Sequence, residues 1–138
     1  MNQGGCILRD KFKALSGEIR LRIIAILLEN NLCVCEMEAC LQISQSNVSR
    51  HLTVLKNCGI LESYKEAQWT YYTISDEFIT LNKELWDYLR ENLKYLPSYE
   101  KDRLELLNYK REKISKINGC NYPTTSTVVE NRSLGFDK

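Results

Sequence analysis

A single histidine is all this chain has, so a His-rich metal cluster is excluded. Cys–His catalysis could draw only on His51. The balance of 19 Lys and Arg against 18 Asp and Glu leaves a formal net charge of +1. Composition therefore gives no general basic excess for nucleic-acid binding, and any such contact must come from local arrangement. Long apolar runs are missing as well. The longest, Ile23 to Leu28, is far too short to span a bilayer. The start, M-N-Q-G-G-C, has no signal-peptide core, so a cytoplasmic protein is expected. The length of 138 residues suits one domain.

Cysteine, by contrast, is abundant, with six residues. Reducing cytosol disfavours a disulfide framework. Metal or redox chemistry is the better reading for cysteines that cluster.

The stretch from Leu32 to Gly59, L-C-V-C-E-M-E-A-C-L-Q-I-S-Q-S-N-V-S-R-H-L-T-V-L-K-N-C-G, predicts two short helices and a tight turn. The first helix is expected from Cys35 or Glu36 to near Gln42. Ser44 is placed to cap the second, and Gly59 to end it. Val48, Leu52 and Leu55 recur at helical spacing and define a core face. Ser46, Ser49, Arg50 and Thr53 fall opposite, short and polar, as suits a DNA major groove. An ordinary helical hairpin with a solvated face has the same pattern, and these residues alone leave both readings open. Ile60–Glu66 and Gln68–Ile74 are rich in aromatic and β-branched residues and predict a hairpin turning near Ala67.

A hairpin directly after a recognition helix is the wing of a winged helix. With it, the phrases F-K-A-L-S-G-E-I-R-L (Phe12 to Leu21), L-C-V-C-E-M (Leu32 to Met37), S-Q-S-N-V-S-R-H-L (Ser44 to Leu52) and L-K-N-C-G-I-L (Leu55 to Leu61) resemble the ArsR family of metal- and metalloid-sensing repressors. The resemblance covers about residues 9 to 96. It implies a mainly α fold with a small β-wing, a winged helix-turn-helix that dimerises through the long helix after the wing. Three family features are altered here. Gly17 stands where an acidic helix cap is usual, and the wing turn Glu66-Ala67-Gln68 has no glycine. Residues 76 to 96 hold no histidine, so the zinc site some members carry on that helix is absent.

Residues 1–8 are expected to be a flexible arm and 9–96 the DNA-binding and dimerisation domain. A further helix is expected over 97–117, and a disordered tail over 118–138. Within the domain, helices are predicted over Arg9–Leu15 and Glu18–Asn30, with Arg20 and Arg22 snorkelling to the surface. A short strand is predicted at Leu32–Val34. From Asp76 to about Leu96 one long amphipathic helix is expected. Its stripe of Leu81, Leu85, Leu89 and Leu93 is the expected dimer seam, although part of it can pack within the monomer. The last helix, capped by Ser98, is expected to dock weakly through Leu104 and Leu107.

Cys33 and Cys35 are the sharpest feature, at a strand-to-helix junction. The positive end of the helix favours thiolate, and two soft thiolates suit thiophilic ions such as arsenic, antimony, cadmium or lead. Two small buried residues at a packed junction are the alternative. Arsenic-responsive relatives often carry a third cysteine three residues on; that position is Glu38, a poor partner for a soft ion. Cys40 lies about 140° round the helix from Cys35 and roughly 7.5 Å along it, so it is expected to face away. Cys6 or Cys120, or an external thiol, could complete the site. Cys58 is expected to pack.

The function this implies is a transcriptional repressor. Its apo homodimer would bind palindromic operator DNA through Gln45, Ser46, Asn47, Ser49, Arg50, His51 and Lys65, without a cofactor. Arsenite or antimonite would release it, Cys33 and Cys35 being the ligands. Glu62 and Glu66 are expected to offset Lys65 on the wing. The alternatives are a repressor responding to cadmium, lead or thiol oxidation, a thiol enzyme using Cys35, and a winged helix used for protein contact.

Overall fold

The computed structural model describes residues 8–115. Two helices open the chain, α1 (Leu8–Leu15) and α2 (Glu18–Leu27), parted at Ser16-Gly17. A short strand β1 (Leu32–Cys33) leads directly into α3 (Val34–Leu41) and then α4 (Gln45–Asn57). The hairpin β2 (Leu61–Glu66) and β3 (Trp69–Ile74) follows. The three strands form an antiparallel sheet in the order β1-β3-β2, with Cys33 opposite Tyr71 and Glu66 opposite Trp69. That last register makes the wing turn a two-residue loop, Ala67-Gln68. Ala67 supplies the positive φ, 58°, that a glycine usually provides.

The helix-turn-helix forms as its caps dictate. The Ser44 hydroxyl accepts from the Asn47 N–H at 3.3 Å, and Gly59 takes φ 76° beyond the end of α4. Between α3 and α4 the chain turns through Gln42 in the left-handed conformation (φ 60°). Val48, Leu52 and Leu55 are fully buried, and α2 contributes Ile23, Ile24 and Leu27 to the same core.

The long helix expected after the wing is two helices, α5 (Asp76–Leu81) and α6 (Lys83–Asn92), with a 3-10 turn at Leu93–Tyr95. Asn82 breaks it, at φ −128° and ψ 51°. Its own N–H keeps the helical bond to the Phe78 carbonyl, and its side-chain amide donates to the same oxygen, a local back-bond of the kind that bends helices. The leucine stripe divides accordingly. Leu89 and Leu93 are buried in the chain's own core, Leu85 is half-buried, and Leu81 is 68% exposed.

The last helix, α7 (Tyr99–Ser115), is firmly docked, not marginal. Leu106 enters the core, while the expected contacts Leu104 and Leu107 are exposed. Asp102 is buried and takes a two-pronged hydrogen bond from Arg22, from Nε at 2.9 Å and Nη2 at 2.8 Å. Arg22 Nη2 also donates to the Leu41 carbonyl at 3.0 Å. Arg22 is therefore an internal tie between α2, α3 and α7. Arg20 is likewise turned inward, donating to the Ala14 carbonyl at 2.7 Å and to His51 Nδ1 at 3.0 Å. Both arginines were expected at the surface. Buried acceptors hold them instead, because a guanidinium can satisfy several acceptors at once. No helix among the described residues is long and apolar enough to cross a membrane.

Candidate functional site

Cys33 ends β1 and is the N-cap of α3; Cys35 is the second residue of that helix. This geometry brings their sulfurs to 3.4 Å. Cys33 is buried and Cys35 half-buried. The cap is a capping box with sulfur in the place of a hydroxyl. The Glu36 N–H points to the Cys33 sulfur, and the Cys33 N–H donates to Glu36 Oε1 at 3.0 Å. Glu36 is itself buried, and its other oxygen accepts from Lys113 Nζ of α7 at 3.2 Å. Glu36 is a site residue that the C-V-C pair alone does not announce. The signal was there, since C-V-C-E has the spacing of S/T-x-x-E with Cys as the cap.

One thiol of the pair donates to the other, and either can be the donor. Cys33 is the more buried of the two. Its pKa is driven far up, chiefly by the hydrogen bond to Cys35, then by burial and the negative charge of Glu36. Thus the helix N-terminus does not make Cys33 a thiolate, as expected from the helix dipole alone. The bond to Cys35, burial and the neighbouring carboxylate outweigh it.

A cavity of about 260 Å³ opens beside the pair, lined by Cys33, Val34, Cys35, Glu38, Gln45, Trp69 and Thr70. It joins the thiols to the first residue of α4 and the first two of β3. Cys40 is absent from its lining. Cys40 is fully buried, its sulfur directed to the Met37 carbonyl at 3.8 Å, and burial pushes its thiol up to about 12. Among the described residues no group of three or more His, Cys, Asp and Glu side chains is placed to hold a metal ion. Cys6 and Cys120 lie outside the described residues. Cys58 packs on the core, half-buried, with its sulfur 3.8 Å from the Asp10 carbonyl.

The residues expected at DNA lie along the outer side of α4 and on the wing. Gln45, Ser46, Arg50 and Thr53 are exposed; Asn47 and Ser49 are half-buried. The Arg50 guanidinium donates to the Asn47 side-chain oxygen one turn back on the helix. Lys65 is exposed on the wing. The Glu62 carboxylate accepts from the Asp76 N–H at 3.0 Å and caps α5. Lys56 ties α4 to the wing by donating to Ser63 at 2.7 Å. His51 is half-buried against Arg20. Arginine cannot accept, so His51 Nδ1 is the unprotonated nitrogen and the ring proton sits on Nε2. Burial, then Arg20 and Arg50, lower its pKa.

The sequence model described as bacterial regulatory protein, arsR family, matches residues 17–63. The transcriptional activator HlyU of Vibrio cholerae is 41% identical over 53% of this chain and 68% of its own length. The chain belongs to the ArsR family. The HlyU structure superposes with a TM-score of 0.50, at 38% identity, over 59% of this chain and 88% of HlyU. A cadmium resistance regulatory protein homologue of Staphylococcus aureus is 42% identical over 49% of this chain and 57% of its own. An arsenic resistance transcriptional regulator of Pseudomonas putida is 42% identical over 48% and 52%. The chain thus spans little more than half the length of these two resistance regulators. As an ArsR-family member it carries a winged helix, and the relatives named here are transcriptional regulators.

Proposed function

We propose that this protein is a metalloid-responsive repressor. Its apo homodimer binds operator DNA in the cytoplasm, and arsenite or antimonite captured by Cys33 and Cys35 releases it. The observation that carries the metalloid reading is the 3.4 Å sulfur–sulfur approach in the cap of α3. With metal–sulfur bonds of about 2.3 Å, that separation subtends about 95° at a shared ion. Such an angle suits a pyramidal ion with a lone pair. A tetrahedral ion such as cadmium would need the sulfurs to spread. Lead is the closer rival.

The coupling runs through the cap. The Cys33 sulfur accepts the Glu36 N–H, and drawing that sulfur into a bond with the ligand weakens the first turn of α3. α3 packs against α4, so the distortion reaches the helix whose Gln45, Ser46, Asn47, Ser49 and Arg50 read the major groove. Lys65 and His51 add phosphate contacts. The third ligand comes from Cys6, Cys120 or a small external thiol.

Operator DNA carrying bound protein, titrated with arsenite, antimonite, cadmium, lead and peroxide, tests the reading. Arsenite and antimonite should release the wild type. Cys33→Ser and Cys35→Ser should bind DNA and resist release, because serine is itself a good cap. Release of both variants by arsenite would refute the assignment. Release by cadmium, lead or peroxide alone would move the response to that rival.

A further inference from the structure

The last helix carries two apolar stripes, and the chain's own core uses one. Leu106 and Asp102 of α7 are buried. Leu104, Leu107 and Ile114 are 48%, 44% and 71% exposed. A helix docked by one stripe ordinarily turns polar residues outward. Single exposed leucines need no explanation, but these three are not scattered. With Glu100 and Arg111, both exposed, they step along α7 at intervals of four, three, four and three residues. That is the a/d spacing of a two-helix seam. We propose that α7 pairs through this stripe with α7 of a second copy of the chain, in antiparallel orientation.

The two charged positions decide the direction. Side by side and parallel, Glu100 would face Glu100 and Arg111 would face Arg111, and like charges in contact are costly. A parallel pair slipped out of register would not close on itself. In the antiparallel register that sets Leu104 against Leu107 of the copy, Glu100 meets Arg111. The twofold axis repeats both contacts. The seam then has two leucine layers at its centre and an ion pair at each end. Glu100 already accepts from Arg103 at 2.7 Å on its own helix, and a carboxylate has room for further donors. The same register carries Ile114 past the start of the second α7, where Tyr95 and Pro97 of the copy are exposed.

The stripe is presented rigidly, because Arg22 holds Asp102 and Glu36 holds Lys113 on the docked side of α7. A fixed face loses little freedom on pairing. From Glu100 to Arg111 the seam runs about 17 Å, which belongs with the small, transient interfaces. Pairing is therefore weak between free molecules, and at dilution other faces set the assembly. It gains where copies are already held close, since effective concentration then replaces free encounter. Under the operator-binding reading, that place is neighbouring sites on one DNA. No residue of the seam belongs to α4 or the wing, so both stay clear for DNA. The pairing itself does not depend on what the thiols bind.

The test is sedimentation of the full chain over a concentration range from about 1 to about 500 μM. The mass of the species present at dilution should rise towards its double. Leu104→Glu with Leu107→Glu should move that rise at least about tenfold higher in concentration, with an unchanged circular dichroism spectrum. Glu100→Arg alone and Arg111→Glu alone should each do the same. The two single variants mixed together should associate, and Glu100→Arg with Arg111→Glu in one chain should return to within about threefold of the wild type. A mass that stays constant over the range overturns the inference and leaves the stripe to the chain's own end or to another protein. Association that ignores the single charge reversals, or that the double reversal does not restore, overturns the antiparallel seam. Should the leucine variant fail to fold, the charge reversals decide, since both positions are exposed. Operator release by arsenite in a chain that does not self-associate would leave the metalloid reading standing alone.

Discussion

Arg22 and Asp102, 80 residues apart, hold α7 to α2 through two hydrogen bonds of 2.9 and 2.8 Å, one to each carboxylate oxygen. The Asp102 side chain is 2% exposed and that of Arg22 16%. Removing one partner leaves the other buried and uncompensated, so Asp102→Ala should cost about 3–5 kcal/mol. A urea midpoint that falls without a change in slope would report it. Replacing both, as Arg22→Met with Asp102→Leu, should cost much less, because a buried pair is often matched by apolar residues of similar volume.

Stability should fall on the alkaline side through the buried thiols. Cys40 has its pKa raised from 9.0 to about 12, mainly by burial, and Cys33 is raised too, first by its bond to Cys35. Raised values mean that the folded chain holds protons the unfolded chain has lost. Their contribution is complete below about pH 9 and drains away as pH rises towards the folded values, by up to about 1.4 kcal/mol per pH unit and thiol. Urea unfolding between pH 8 and 11 should show a steeper decline for the wild type than for Cys40→Ala. Equal slopes would count against the buried thiol.

The leucines after the wing should separate into two kinds. Leu89→Ala removes a core side chain and should cost about 2–5 kcal/mol in any oligomeric state. Leu81 is 68% exposed, as is Phe12 at 54% and Leu8 at 67% on α1. Lys11 of α1 and Leu81 of α5 line one crevice, so these apolar groups lie at neighbouring elements. Phe12→Glu with Leu81→Glu should leave the fold intact by circular dichroism, give a monomer in sedimentation, and lose operator binding. A dimer that survives both changes would place the interface elsewhere.

Arg50 should matter more than Lys65 for sequence choice. Arg50→Ala should weaken operator binding by about 1–3 kcal/mol if the guanidinium contacts a base, and relax preference at one operator position. Lys65→Ala should weaken binding to all sequences alike and lower the salt dependence by about one unit. Shift assays on operator and scrambled duplexes at two salt concentrations separate these outcomes.

The helix-turn-helix was legible because its determinants are local. Ser44, Gly59 and the Val48–Leu52–Leu55 spacing act within a few residues of themselves. The pairing of Cys33 with Cys35 was legible for the same reason. What could not be read were ties across the chain. Nothing near Arg22 or Arg20 in sequence announces an acceptor on α7 or on α4, so periodicity alone sent both to solvent. The break at Asn82 was visible in principle, since asparagine competes for backbone groups, but an unbroken leucine period masked it. The docking of α7 rests on Asp102 and Leu106, and the charged face of that helix concealed both.

The cap of the thiol helix is completed by Lys113, 77 residues after the glutamate it pairs with. On a ribosome adding about 5–20 residues per second, Glu36 waits roughly 4–15 s for that partner to be made. During this interval Cys33 and Cys35 belong to a nascent segment whose covering helix does not yet exist. The Glu36–Lys113 pair thus forms only after the whole recognition helix has been made. A chain stalled or cut before Lys113 would display a finished α4 while Glu36 lacks its partner from α7.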